Sequence, residues 1–292
     1  MELSYRKTDA FIAGDSLGNP AACLYLKADQ MLGDAQMLDI ARRHRGFVSE
    51  LVACRPEPDG GYALSYWSSE CEVDFCGHGT IACLYSLIHS TPELYRRPEI
   101  RITTRRKGPL TVYNRIPSQD AVYISAPEPR HIGTELSRTA IAEALGTAAD
   151  AISGGTPPDC VDAGLVTLLV PFDRLEDLIR LQPDERTLGD FCLAHDIGIV
   201  LAYAMQAERP DHFAHTRVFA PRFGYLEDPA TGSGNSAFGA YLRKNGRWDG
   251  RDIAIEQGGA GIVYNTVRLA AEGDRILFGG RAVDRIRGVW LL

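Results

Sequence analysis

The sequence predicts an α+β fold made of two similar halves. Three observations predict it. Strand-like runs outnumber helix-like runs along the 292 residues. Two glycine loops, CGHGT (Cys76 to Thr80) and TGSGN (Thr231 to Asn235), each lead into a small, apolar, helix-like stretch. Their first glycines, Gly77 and Gly232, lie 155 residues apart, about half the chain. That spacing fits a weak internal duplication. Many strands with few long helices suggest helices packed in curved antiparallel sheets.

The elements follow in order. ELSYRKTDAF, AACLYL, VSELVAC and YALSYW read as strands, rich in β-branched and aromatic residues. MLGDAQMLDIARRH between the second and third reads as a helix, and GTIACLYSLIHS after the first glycine loop as another. EIRITT, LTVYNR and AVYISA return to strand. A polar, proline-containing break, RIPSQD, falls near Pro117. It sets the expected boundary: an N-terminal domain over 1–116 with a C-terminal return at 280–292, and a second domain over 117–279. The second half reads as helix SRTAIAEALG, strands LVTLLVP, IGIVLAYAM and HTRVFAP, helix NSAFGAYLRKNG, and strands IAIEQG, NTVRLAA and RILFGG. NSAFGAYLRKNG closes on Lys and Asn-Gly, a good helix stop.

Composition excludes several classes. The chain is 45% hydrophobic and 24% charged, an ordinary globular balance with a net charge of −7. No basic run stands out, so nucleic acid and anionic membrane are not expected partners. No apolar run approaches the roughly 18 residues of a membrane span. The start, MELSYRKTDAFIAGDS, has no apolar signal-peptide region. Seven cysteines without framework spacing point to a reduced, cytoplasmic protein.

The glycine loops point to chemistry. A helix start leaves N–H groups without intrahelical partners and carries partial positive charge. Glycines there let a ligand approach the backbone closely. Two such starts suggest a small anionic substrate held in a cleft between domains, with N–H groups near Gly77, Gly232 and Ser233 on its oxygens. If the anion is a carboxylate, the same donors would stabilise the enolate-like charge formed when a proton leaves the neighbouring carbon. Glu50 is the candidate base. It alternates with Val48, Val52 and Cys54 on an apolar strand face, where desolvation is expected to raise its pKa toward neutrality.

These segments resemble the PhzF-like phenazine-biosynthesis family, within the diaminopimelate epimerase-like fold. The resemblance runs in order through TDAFIAGDSLGNPAACLYL (Thr8 to Leu26), the Ser49-Glu50 pair, EVDFCGHGTIA (Glu72 to Ala82), FAPRFGYLEDPATGSGNSAFGAYL (Phe219 to Leu242), IEQG (Ile255 to Gly258) and FGGRAV (Phe278 to Val283). It implies two similar domains, each a β-sheet barrel wrapped around a central helix, with the active site in the interdomain cleft. It implies a cofactor-independent isomerase with no metal, which shifts a double bond or epimerises a small carboxylated metabolite. Homodimers are common in the family. Carried over, Glu50 is the catalytic base, and Asp228 and His78 share the proton traffic. Gly77, Gly79, Cys76, Gly232 and Ser233 line the substrate.

The pattern departs from the family in places. The stretch Ser65-Tyr66-Trp67-Ser68-Ser69 lacks the usual arginine and proline. After IEQG, Gly259 to Asn265 lacks another arginine. Gly79 stands where alanine is usual. Cys76 sits where epimerases of this fold carry one of two thiols, but the second loop offers no partner thiol, so a two-thiol racemase is not expected. A zinc site from Cys71, Cys76 and His78 lacks a second ligand pair. A Cys76–His78 nucleophile pair is disfavoured because positions i and i+2 at a helix start do not face each other. TGSGN lacks the nucleophile-elbow spacing. The alternative of another class is a binding protein that keeps the fold without the chemistry.

Overall fold

In the computed structural model, which describes Met1–Leu292, the chain divides into two units: Met1–Ser125 with Gly279–Leu292, and Ala126–Phe278. The first unit contains β1 (Glu2–Ala10), β2 (Asn19–Tyr25), α1 (Asp34–Arg43), β3 (Glu50–Pro56), β4 (Tyr62–Trp67), β5 (Glu72–Val73), α2 (Gly77–Ser90), α3 (Pro92–Tyr95), β6 (Glu99–Thr104), β7 (Gly108–Asn114), α4 (Ile116–Gln119) and β8 (Val122–Ser125). β1 pairs antiparallel with β2, β3 with β4, β6 with β7 and β7 with β8. β2 and β3 run parallel, as do β4 and β6. Gly79 to Ser86 are all buried, so α2 has no solvent face over that stretch. It packs against β1, β2, β3 and β8. Ile81, Leu84 and Ile88 are fully buried, each contributing about 1.5–3 kcal/mol of transfer free energy. α1 covers the sheet with Met37, Ile40 and Ala41 against Leu24, Leu51 and Trp67.

The second unit contains β9 (Arg130–His131), α5 (Arg138–Leu145), β10 (Asp159–Asp162), β11 (Val166–Phe172), α6 (Leu175–Ile179), α7 (Glu185–Ala194), β12 (Ile199–Ala204), β13 (Ala214–Phe219), β14 (Glu227–Asp228), α8 (Gly232–Lys244), β15 (Ile253–Gln257), β16 (Asn265–Glu272) and β17 (Arg275–Gly280), whose end passes into the first unit. β10 and β11 are antiparallel, β11 and β12 parallel, β12 and β13 antiparallel, β13 and β15 parallel, β15 and β16 antiparallel. α8 is buried from Gly234 to Leu242 and packs on β10, β11, β12 and β16. α5, α6 and α7 cover the outer sheet face through Ile141, Leu145, Leu178, Leu188 and Cys192. The last strand, β18 (Ala282–Leu291), returns to the first unit and pairs antiparallel with β1.

The two units repeat one strand order, so the duplication suggested by the paired loops is present in the topology. Each is a sheet around one buried helix. The expected antiparallel sheets are instead mixed. A helix connects β2 to β3, α2 lies between β4 and β6, and the second unit does the same, and a helical crossover delivers the next strand parallel. The segment around Pro117 forms the short α4 inside the first unit, because β8 continues the ladder from β7. The chain therefore changes unit after Ser125. All seven cysteines are free. No helix is long and apolar enough to cross a membrane.

Candidate active site

In the first unit, register places Glu50 at the start of β3, opposite Ala21 of β2. Chain geometry places His78 in the first turn of α2. The two meet: His78 Nε2 lies 3.2 Å from Glu50 Oε2, with the side chains 14% and 21% exposed. The ring nitrogen is aimed at Ser49 Oγ, 3.1 Å away, so the Glu50 contact is an ion pair and Oε2 has no directed hydrogen bond. Cys76 completes the cluster. Its sulfur accepts the N–H of Gly79 at 3.2 Å, capping α2, and lies 3.4 Å from His78 Nδ1.

The close Cys76–His78 contact corrects the sequence expectation. Cys76 is the N-cap, with extended φ −130 and ψ 110, so its side chain folds back over the first turn. It does not thereby become a nucleophile, because burial pushes its thiol pKa up despite His78.

Glu50 also differs from expectation. Burial raises its pKa, but the His78 ring 3.2 Å away, with Ser49 and Cys76, more than offsets that, and the carboxyl is held below its usual range. Burial opposes protonation of His78, yet Cys76 and Glu50 hold the ring well above its usual value. The two directions, Glu50 down and His78 up, are those of a carboxylate facing an imidazolium.

Glu50, Cys76 and His78 offer donor atoms within 4.8 Å of one another. As metal ligands they would have to surrender the His78 contacts and the Gly79 cap. Cys71 is exposed in the turn between β4 and β5, where Ser68 holds it, and takes no part. Gly79 has its N–H committed to Cys76. A Cβ there would lie 2.8 Å from Val52 Cγ2 and 2.9 Å from Cys76 Sγ, so the close packing favours glycine. Gly77 and His78 open the helix, where N–H groups are available to an anion. Of the acids preceding the loop, Glu72 pairs with Arg106 at 3.0 Å, and Asp74 is exposed.

In the second unit, Asp228 ends β14 opposite Val218 of β13. Glu227 beside it is held bidentately by Arg217 at 3.0 and 2.7 Å. Thr231 is the N-cap of α8, with Gly232 and half-buried Ser233 in its first turn. Gly232 has no substitute: a Cβ would lie 2.2 Å from the Phe278 ring. Sequence reasoning assigned no role to Ser49, Thr231 or Gln257. Polar Gln257 on the apolar strand IAIEQG was the available signal, since a buried amide needs partners.

The repeat shows where the halves diverge. Leu51 opposes Trp67, which opposes Glu72; Val200 opposes Phe219, which opposes Glu227. By that register Glu50 corresponds to Ile199, Cys76 to Thr231 and His78 to Ser233. The first unit alone carries the ionisable triad.

The family described as phenazine biosynthesis-like protein matches residues 8–288. The chain belongs to that family. Among relatives, the uncharacterized isomerase PA2770 of Pseudomonas aeruginosa is 28% identical over 295 residues, covering 99% of this chain and 98% of the relative. The uncharacterized isomerase YfhB of Bacillus subtilis is 27% identical over 261 residues, covering 88% and 86%. A PhzF-family phenazine biosynthesis protein from Bacillus anthracis superposes with a TM-score of 0.86 over the whole of both chains at 22% identity, a likeness of fold. The phenazine biosynthesis-like family thus shares this α+β, diaminopimelate epimerase-like architecture.

Proposed function

We propose that the protein is a cofactor-independent isomerase that moves a proton on a small carboxylated metabolite, with Glu50 as the base. One observation carries the reading: a mostly buried carboxylate, without a directed hydrogen bond on Oε2, sits 3.2 Å from the His78 ring at the start of a buried helix. Relatives named as isomerases support the reaction class.

In the proposed reaction, Glu50 accepts a proton from the carbon next to the substrate carboxylate. The C–H electron pair moves into an enolate-like system, stabilised by His78 and the first-turn N–H groups of α2. Glu50 then returns the proton to a different carbon, which shifts the double bond. Inversion at a stereocentre would need a second acid, a role we give to Asp228. Gly232 and Ser233 serve the substrate's polar groups. The replacement of the triad by Ile199, Ser233 and Thr231 in the second half supports a single principal base. The same proposal includes a cytoplasmic homodimer.

The experiment is incubation with a panel of small carboxylic acids, following their conversion to isomers by NMR with and without a chelator. Conversion that survives chelation and is absent in Glu50→Gln supports the reading. Binding of these acids without any conversion would turn it toward a binding protein.

A further inference from the structure

A threonine at an N-cap ordinarily turns its hydroxyl onto a first-turn N–H. Thr231 does not, and no side chain caps α8. Its hydroxyl instead makes a short hydrogen bond to Asp228 Oδ2. The direction of that bond is forced by Gln257. Gln257 Oε1 accepts from Thr231 N at 3.0 Å and from Asn235 Nδ2 at 2.8 Å. The backbone N–H can only donate, so the amide oxygen faces α8. The Nε2 hydrogens then go to Asp228 O at 2.9 Å and Thr231 Oγ1 at 3.2 Å. A hydroxyl oxygen that accepts from Gln257 has its single proton directed at Asp228.

We infer that Gln257 and Thr231 are positioning residues for Asp228, wired in series so that its carboxylate is kept as an acceptor in one fixed orientation. The first unit has no such wire. Register places Thr104 where Gln257 stands and Val73 where Asp228 stands. Thr104 bonds within its own hairpin, to Gly108 O at 3.2 Å, and Cys76 at the Thr231 position caps its helix. The wire therefore belongs to the one half that carries the aspartate. Its importance for turnover rests on the role proposed for Asp228, but the wiring itself does not.

The test is the titration of Asp228, followed through its side-chain carboxyl carbon by NMR of aspartate-labelled protein and assigned with Asp228→Asn. Thr231→Val keeps the shape and removes the hydroxyl. It should move the Asp228 midpoint to higher pH by about half a unit or more, since one donor to the charged form is lost. Thr231→Ser should leave the midpoint in place, which a purely steric role for the threonine would not predict. The bidentate Arg217–Glu227 pair on the adjoining strands is untouched by either change. Gln257→Met frees the Thr231 hydroxyl to rotate and should shift the midpoint in the same direction, so the inference remains testable should Thr231→Val not fold. An unmoved midpoint in a folded Thr231→Val or Gln257→Met protein overturns the inference, even with Glu50-dependent conversion intact. A shifted midpoint supports it even if no carboxylate is converted.

Discussion

Replacing Glu50 by glutamine should make His78 titrate at lower pH. Shape is kept and one charge is removed, 3.2 Å from the ring. At an effective dielectric near 20, opposite charges at that distance attract by roughly 5 kcal/mol, an upper bound that burial of both groups reduces. Both side chains are less than a quarter exposed, so solvent screens the remainder weakly. A shift of about 1–3 pH units is expected, or about 1.4–4 kcal/mol. The pH dependence has a definite sign. His78 is raised from 6.5, so its stabilising contribution is complete below that pH and is lost as pH rises through its folded value. Glu50 is lowered from 4.5, so its contribution is complete above that pH and is lost as pH falls through its folded value. The pair contributes fully between about 4.5 and 6.5. Ring-nitrogen NMR across pH reads the midpoint directly. A neutral His78 at pH 7 in the unaltered protein, or an unmoved midpoint in Glu50→Gln, would refute the charge assignment.

Two further predictions test the loops. Cys76→Ala should lower turnover less than tenfold, because a protonated thiol is not the base, while thermal stability falls by about 1 kcal/mol from the lost cap; a rate loss of about a thousandfold would restore thiol chemistry. Gly232→Ala should destabilise by about 3 kcal/mol in urea unfolding, because its Cβ would meet the Phe278 ring at 2.2 Å, and Phe278→Leu should recover part of that; an unchanged unfolding midpoint would contradict the packing.

Much of this was legible in the sequence, for identifiable reasons. The strands of LVTLLVP and IGIVLAYAM carry their burial in their composition. Glu50 stood out as a lone charge in an apolar alternation, and the glycines marked both helix starts. β18 was not recognised as a strand because Asp284 to Leu291 is largely exposed and lacks a buried alternation. α7 was missed although Asp184 caps it, accepting from Thr187 N at 2.8 Å, because only Leu188 and Cys192 are buried along it. Parallel pairing is a matter of long-range connection, which local pattern does not encode. Neither does it reveal that an extended N-cap brings Cys76 against His78, or that Gln257 reaches Thr231 from another strand.

The central claim is that Glu50 moves a carbon-bound proton. The most direct measurement is mass spectrometry of a carboxylate turned over in deuterium oxide at low conversion, with the unaltered protein and with Glu50→Gln. The account predicts a product that retains much of its original hydrogen in the unaltered protein, because one base carries the proton between carbons, and no turnover in the variant. Equal turnover by Glu50→Gln, with the same labelling, would contradict it.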